Sequence, residues 1–188
     1  IAMRLEVKEG KNGCVLINDS YNSDLASLDI ALDFMSRRSD DKGKKRTLIL
    51  SDMLETGQSS KLLYRQVAEL VHSRGVEKII GVGEEIRTAA ARFEIEKYFF
   101  RTTEELLESD LLAGLRNEVI LVKGSRAFHF DRISDRLELK VHETILEINL
   151  NALVDNLNYY RSKLKPETKM VCMVKASAYG AGSYEIAK

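Results

Sequence analysis

The amino-acid sequence predicts an α/β fold in which a mostly parallel sheet carries helices on both faces. Short apolar runs bounded by turn residues recur along the chain, at residues 14–17, 47–50, 79–82 and 119–122. Amphipathic helical patterns separate these runs, and the connections between them are short. Strands buried on both faces of a sheet form continuous apolar runs, and alternating strands and helices favour parallel pairing. In such a sheet, ligands bind at the carboxyl ends of the strands.

The first elements follow from local periodicity. The chain starts in an alternating pattern around Met3 that predicts a strand. Apolar residues three or four positions apart then predict two helices, with faces formed by Leu25, Leu28, Leu32 and Met35 and by Leu63, Val67, Leu70 and Val71. Further helices are predicted over residues 84–92 and 103–112.

A charged stretch over residues 134–143 divides the chain into two predicted domains, residues 1–141 and 142–188. The second domain shows a strand, a helix stopped by Pro166, a buried strand and a glycine-rich turn, at residues 144–148, 150–164, 170–174 and 179–182. The two strands have unpaired edges, which predict pairing with the first domain or dimerisation with another molecule.

The composition argues against several functional classes. The 188 residues include 29 basic and 29 acidic side chains, so no net charge draws the chain to nucleic acid or to a membrane surface. No apolar run approaches the roughly 18 residues that span a bilayer, and charged residues occupy the place of a signal-peptide core. Cys14 and Cys172 are isolated, which is typical of a reducing compartment. The sequence therefore predicts a cytoplasmic protein that binds a small molecule or another protein.

Common cofactor and metal signatures do not occur in the sequence. Gly81 and Gly83 follow a predicted strand, but Ile86 stands where a dinucleotide-binding loop needs its third glycine. No Gly-x-x-x-x-Gly-Lys-Ser/Thr loop is found, so this chain does not by itself hold a triphosphate in that manner. The histidines lack metal-ligand spacing, and no metal site is predicted: His72, His129 and His142.

Polar clusters follow three of the predicted strands, at residues 18–24, 51–57 and 123–126. The first is consistent with a helix N-cap, because Ser, Asn and Asp side chains accept hydrogen bonds from first-turn amides. The second places two carboxylates and a glycine after a strand, as an ordinary charged loop also does. The third combines a glycine turn with two cations and a hydroxyl, which suits an anion, although a solvated loop end has the same composition. Taken singly, the first two clusters favour the structural interpretation.

Taken together, the three clusters resemble the C-terminal domain of the Mur ligases over roughly residues 1–135. The similarity is to the member that adds D-alanyl-D-alanine to UDP-N-acetylmuramoyl-tripeptide, with motifs Asp-x-Tyr-Asn-Ala-Asn-Pro-x-Ser, Gly-Asp-Met-x-Glu-Leu-Gly and Lys-Gly-Ser-Arg. The third motif is complete, and the other motif residues retained are Asp19, Tyr21, Asn22, Ser27, Asp52, Met53, Glu55 and Gly57. The departures are Ser23, Asp24 and Leu25 for Ala-Asn-Pro, Ser51 and Thr56 in the second motif, and Tyr64 where the family often has a histidine.

This resemblance implies a Rossmann-like domain of an ATP-dependent ligase in peptidoglycan synthesis. In that family ATP phosphorylates a substrate carboxylate, and the amine of the incoming dipeptide attacks the acyl phosphate. A central domain, absent from this sequence, holds most of the ATP and its Mg²⁺, and the C-terminal domain closes over them. The implied partners are UDP-N-acetylmuramoyl-tripeptide, D-alanyl-D-alanine and the rest of the polypeptide.

The resemblance also assigns roles to individual residues. Asp19 and Asn22 are expected to contact the ATP ribose or base, with Tyr21 packing nearby. The second motif is expected to order loops or to contact substrate, through Asp52 and Glu55. The third motif is expected to face the phosphates or the substrate carboxylate, through Lys123, Ser125 and Arg126.

The tail is similar to the beginning of an alanine racemase. Residues 174–182 follow the pattern Val-Lys-Ala-Asp/Asn-Ala-Tyr-Gly-His-Gly, with Ser177 and Ala181 as departures. A lysine that closes a strand is ordinarily a solvated charge. The resemblance instead implies that Lys175 is the catalytic residue that forms the Schiff base with pyridoxal phosphate, and that Tyr179 lies near the cofactor phosphate. A lysine at the end of a buried barrel strand is expected to be partly desolvated.

The leading hypothesis is a fragment of a bifunctional cell-wall enzyme in which a Mur ligase is fused to an alanine racemase. A racemase barrel needs about 250 residues and the tail supplies about 45, so the fragment is expected to be inactive alone. The competing hypothesis is a non-catalytic α/β module that binds a nucleotide or phosphate, or that docks a partner.

Overall fold

The computed structural model of the chain describes residues 5–20, 23–37, 43–53, 57–140, 148–173 and 175. The chain divides into two compact units, Ile1–Leu139 and Lys140–Lys188. Among the described residues, no helix has the length and apolar character needed to cross a membrane.

In the residues that the structure describes, the first unit is built on one sheet of six strands. These are β1 (Glu6–Glu9), β2 (Val15–Asp19), β3 (Lys45–Ser51), β4 (Lys78–Val82), β5 (Glu96–Phe100) and β6 (Glu118–Lys123). Their order is β1-β2-β6-β3-β4-β5, and every neighbouring pair is parallel except β1 with β2. The predicted fold class, a mostly parallel sheet with helices on both faces, is therefore confirmed.

Six helices in the described part of the first unit cover the sheet. They are α1 (Leu25–Arg37), α2 (Ser60–Ser73), α3 (Glu84–Thr88), α4 (Thr103–Glu108), α5 (Leu111–Gly114) and α6 (Asp131–Leu137). The helix predicted over residues 84–92 ends at Thr88, and a short 3-10 turn follows. The helix predicted over residues 103–112 is broken at Ser109, whose backbone is extended and whose hydroxyl accepts a hydrogen bond from the Leu111 amide. Serine side chains compete with the helical backbone in this way.

The core lies on both faces of the sheet because side chains alternate along each strand. One face packs against α1, α2 and α3, and its strand residues include Ile17, Leu48, Leu50, Ile79 and Leu121. The other face packs against α4, α5 and α6, and its strand residues include Leu16, Ile49, Ile80, Ile120 and Val122. Every central strand is thus buried on both sides, as its continuous apolar run predicts.

The order of the strands places a reversal in the direction of the connections between β2 and β3. The connections from β2 to β3 and from β3 to β4 place their helices on one face, whereas the return from β5 to β6 uses the other face. The last strand is inserted between β2 and β3. Ligands of open α/β sheets bind where the direction of the connections reverses, outside the carboxyl ends of the strands. The fold therefore directs attention to the ends of β2, β6 and β3.

The second unit contains the helix α7 (Leu150–Ser162), which begins at the N-cap Asn149, whose side chain accepts a hydrogen bond from the Ala152 amide. The strand predicted over residues 144–148 lies almost entirely outside the described residues. The buried strand predicted over residues 170–174 is wrong for 170–173, which have no strand structure, and Val171 is 92% exposed. A strand forms only where a neighbour exchanges backbone hydrogen bonds with it, and none pairs with 170–173 in the described part of the chain.

Candidate functional site

A buried ion pair joins the carboxyl ends of β2 and β6. Asp19 and Lys123 are the last residues of these strands and lie opposite each other in the parallel register. Lys123 Nζ lies 2.7 Å from Asp19 Oδ2, and the two side chains are 0% and 7% exposed. Removing either partner would leave the other as an uncompensated buried charge. The geometry thus fixes these two strand ends to each other.

The loop after β6 continues from this pair and reaches β3. The Ser125 amide donates a hydrogen bond to Ser51 Oγ at 2.9 Å. A methyl group at Gly124 would lie 2.4 Å from the buried ring of Phe130, so this position has room only for glycine. Arg126 is exposed at the start of a short 3-10 turn. The loop therefore has a fixed path that presents one cation at the surface.

The loop after β3 is held by the carboxylate of Asp52, which is 6% exposed. Its Oδ1 accepts hydrogen bonds from the Ile86 amide at 2.8 Å and from the Tyr64 hydroxyl at 3.2 Å, and its Oδ2 accepts one from the Glu85 amide at 3.2 Å. Gly83 has φ of 132°, and a methyl group there would lie 2.2 Å from Asp52 Cγ. The Asp52 carboxylate is thus turned into the protein, where it caps the first turn of α3.

Tyr64 also stabilises the loop after β3. Its side chain is fully buried, and its hydroxyl accepts a hydrogen bond from the Met53 amide at 3.3 Å while it donates to Asp52. Burial and the neighbouring Asp52 charge raise the pKa of Tyr64, so the hydroxyl keeps its proton throughout the ordinary pH range. The sequence marks Tyr64 only as a departure from a family pattern.

The N-terminus of α1 is capped by Asp24. Asp24 Oδ1 accepts from the Ser27 amide and Oδ2 accepts from the Ser27 hydroxyl, both at 2.8 Å. Burial opposes ionisation of Asp24, but the hydrogen bonds from Ser27 and the charge of Lys123 outweigh it and lower the pKa of Asp24. The capping interpretation of the first cluster is therefore correct for Asp24.

The structure brings together some of the predicted site residues. Asp19, Lys123, Ser125 and Asp52 belong to one set of strand ends that is linked by the Lys123–Asp19 and Ser125–Ser51 contacts. The structure also adds Ser51, which the sequence marks only as a departure from the second motif. Four predicted site residues lie outside the described residues: Tyr21, Asn22, Glu55 and Tyr179.

Lys175 lies in the second unit and is exposed. The expectation that it is partly desolvated at the end of a buried strand is therefore wrong for this chain. The physical reason is the missing strand structure over residues 170–173, since only neighbouring strands would exclude water from its amine.

Two parts of the chain match known families. Residues 3–126, more than half of the chain, match the family described as Mur ligase, glutamate ligase domain. Residues 148–188 match the N-terminal domain of alanine racemase. An amino-acid racemase of Enterococcus faecalis is 46% identical over 41 residues, which are 22% of this chain and 6% of that protein.

The first part of the chain is similar to known ligases, both in sequence and in solved structures. The UDP-N-acetylmuramoyl-tripeptide–D-alanyl-D-alanine ligase of Rickettsia prowazekii is 32% identical over 122 residues, which are 64% of this chain and 26% of that protein. The crystal structure of the MurF ligase from Thermotoga maritima in complex with ADP has a TM-score of 0.55 at 20% identity, covering 72% of this chain and 30% of that chain. The chain spans about a quarter of the length of the ligases that it matches. The match over residues 3–126 shows that this chain belongs to the Mur ligase family.

Proposed function

We propose that the first unit is the C-terminal domain of an ATP-dependent ligase that adds D-alanyl-D-alanine to UDP-N-acetylmuramoyl-tripeptide in peptidoglycan synthesis. The observation that carries this proposal is the convergence of three loops at the ends of β2, β6 and β3. The Lys123–Asp19 ion pair and the Ser125–Ser51 hydrogen bond link these loops into one surface. The reaction is inferred from the relatives, which are ligases, because the fold alone does not identify a reaction.

In this reaction the γ-phosphoryl group of ATP passes to the tripeptide carboxylate, and the dipeptide amine then displaces phosphate as the amide bond forms. The sequence has no phosphate-binding P-loop, so another domain must hold the triphosphate. The role of the first unit is then to cover the nucleotide and to exclude water from the acyl phosphate.

Individual residues serve this role in different ways. Exposed Arg126 faces the phosphates or the substrate carboxylate, where negative charge develops. Asp19 joins the end of β2 to the end of β6 through its ion pair with Lys123, and this pair positions the loops that cover the nucleotide. Asp52 orders the loop after β3, because its carboxylate oxygens accept hydrogen bonds from the protein.

The two buried carboxylates at this edge do not fit as Mg²⁺ ligands. Asp19 is paired with Lys123, and Asp52 is engaged by two amides and a hydroxyl. A cation would have to displace these donors from carboxylates that are less than a tenth exposed. We infer that the metal is held by the domain that binds the triphosphate.

The test of the ligase proposal is ATP-dependent amide formation by the protein expressed from its complete reading frame. Asp19→Ala and Lys123→Ala are expected to lower the ligation rate while alanine racemisation is unchanged. Lys175→Ala is expected to do the reverse. Ligation that survives both Asp19→Ala and Lys123→Ala would refute the proposed surface.

We also infer that residues 148–188 correspond to the start of an alanine racemase. The support is the family match over these residues and the position of Lys175 in its pattern. Pyridoxal phosphate, when bound, stabilises a carbanion next to the amino group. Exposed Lys175 lacks the dry surroundings that such a site needs, so the 188-residue chain alone is expected not to racemise. The chain alone is also expected not to ligate, because its sequence has no P-loop to hold the triphosphate. Either activity above background in the purified chain would contradict this expectation.

A further inference from the structure

The hydroxyl group of Ser51, the last residue of β3, joins two loops at the candidate site. The side chain is fully buried. Its oxygen accepts a hydrogen bond from the Ser125 amide at 2.9 Å, and the hydroxyl donates to the Asp52 carbonyl oxygen, also at 2.9 Å. One hydroxyl group therefore contacts the loop after β3 and the loop after β6 at the same time.

The surroundings of this hydroxyl are rigid. The backbone of Ser51 pairs with Val82 in the parallel register of β3 and β4. The Asp52 amide donates to the Val82 carbonyl oxygen at 3.0 Å, and the Asp52 carboxylate accepts hydrogen bonds from the Tyr64 hydroxyl and from two amides of α3. Because Asp52 is held through its amide, its carbonyl and its carboxylate, the Ser51 oxygen has a fixed position.

The contact with Ser51 fixes the backbone immediately before Arg126. The Ser125 amide donates to Ser51, and the Ser125 carbonyl oxygen accepts a hydrogen bond from the Phe128 amide at 3.0 Å. Arg126 begins the short 3-10 turn that this second hydrogen bond closes. Without the Ser51 oxygen, the Ser125 amide would lose its acceptor and the turn that carries Arg126 would lose this attachment to β3.

The hydroxyl is not required for the formation of β3. The pairing of Ser51 with β4 is made by its backbone, which any residue provides. The family motif has glycine at this position, and glycine has no side chain with which to hold Ser125. The contact between Ser51 and Ser125 is therefore a feature of this chain that strand formation does not explain.

We propose that Ser51 is a positioning residue for the ligation reaction, because its hydroxyl sets the loop after β6 and so places Arg126 before the substrates bind. This inference rests on the proposed function, in which Arg126 faces the phosphates or the substrate carboxylate. A charged group that is fixed in advance stabilises developing charge without being ordered during the reaction. Ser51 acts only through Ser125 and Arg126, since its fully buried side chain is not accessible to a ligand.

The test is a double-mutant cycle on ligation by the protein expressed from its complete reading frame, with enzyme in excess so that slow variants can be measured. Ser51→Ala is expected to lower kcat/KM about twofold to tenfold, the effect of losing one hydrogen bond. In the Arg126→Gln background, Ser51→Ala is expected to have no further effect, because the residue through which Ser51 acts is already changed. A merely structural role would lower kcat/KM by the same factor in both backgrounds.

Thr47→Val is the matched control. Thr47 lies near the opposite end of β3, is also fully buried, and donates a side-chain hydrogen bond to Glu118. Both Ser51→Ala and Thr47→Val are expected to lower the melting temperature, but only Ser51→Ala is expected to lower kcat/KM. Hydrogen exchange at the Ser125 amide of the 188-residue chain is expected to accelerate more in Ser51→Ala than in Thr47→Val.

The outcomes separate the inference from the proposed function. Unchanged kcat/KM in Ser51→Ala, an equal loss in both backgrounds, or an equal loss in Thr47→Val would overturn the inference. If the unsubstituted protein does not ligate, or if Arg126→Gln ligates normally, the proposed function or its assignment of Arg126 fails and the inference fails with it. Hydrogen exchange at Ser125 distinguishes these cases, because it measures the contact with Ser51 independently of activity.

Discussion

Replacing Lys123 with methionine is expected to destabilise the chain and to remove the proposed nucleotide binding, and these two effects can be separated. The substitution leaves the Asp19 carboxylate buried without its partner at 2.7 Å. Breaking a buried pair in this way costs about 3–5 kcal/mol. A domain is stable by about 5–15 kcal/mol, so the variant is expected to fold. Because the free energy of unfolding decreases by about 2 kcal/mol per molar urea, this loss lowers the urea midpoint of unfolding by about 2 M.

A second buried ion pair, at the amino ends of the strands, provides a matched control. Lys78 Nζ also lies 2.7 Å from a carboxylate oxygen, Glu118 Oε1, and these side chains are 8% and 7% exposed. Both residues stand at the start of their strands, away from the candidate site. Glu118 also accepts a hydrogen bond from the Thr47 hydroxyl, so Lys78→Met is expected to lower the urea midpoint by at most the same amount while nucleotide affinity in the folded chain is retained.

A double variant completes the comparison. Lys123→Met combined with Asp19→Leu replaces the buried pair with apolar side chains, which is often neutral for stability. Its urea midpoint is expected to recover while nucleotide binding remains lost. The reasoning is refuted if Lys78→Met weakens nucleotide binding as much as Lys123→Met does, or if the double variant binds nucleotide normally.

Three further substitutions test the loops. Tyr64→Phe is expected to lower the free energy of unfolding by about 1–2 kcal/mol at pH 7. Because the pKa of Tyr64 is raised in the folded chain, this difference should shrink as the pH rises above about 10, and a constant difference in urea unfolding would argue against it. Gly124→Ala forces a methyl group into a phenyl ring and should cost about 1–3 kcal/mol, whereas Gly114→Ala, with open space at its Cβ, should be nearly neutral in the same assay. Asp24→Asn keeps a cap acceptor but removes a carboxylate of lowered pKa, so the advantage of the unsubstituted chain should decline as the pH falls below about 4; a melting-temperature difference independent of pH would count against this.

The sequence predicts the buried strands because a strand that is buried on both faces of the sheet has a continuous apolar run. It does not predict β5, whose residues Glu96, Lys97 and Tyr98 are exposed at the edge of the sheet and give no apolar run. The strand predicted over residues 170–174 fails for the opposite reason, since an apolar run does not provide a neighbour to pair with.

The site is only partly predictable for a similar reason. Local patterns place Asp19 and Lys123 at strand ends, but their contact depends on the register of strands that are 104 positions apart in the chain. The roles of Ser51 and Tyr64 likewise arise from partners supplied by other elements. The capping role of Asp24 involves a residue only three positions away, so it is accessible from sequence.

The insertion of β6 between β2 and β3 has a consequence for folding order. β2 and β3 cannot take their final positions in the sheet until β6 has paired with both of them. Contacts over such long sequence separations form slowly, because a large loop must close first. The Lys123–Asp19 and Ser125–Ser51 contacts both need this last strand in place. The loops of the candidate site therefore assemble only after β6 has paired with β2 and β3, and the proposed nucleotide binding would report that this long-range pairing is complete.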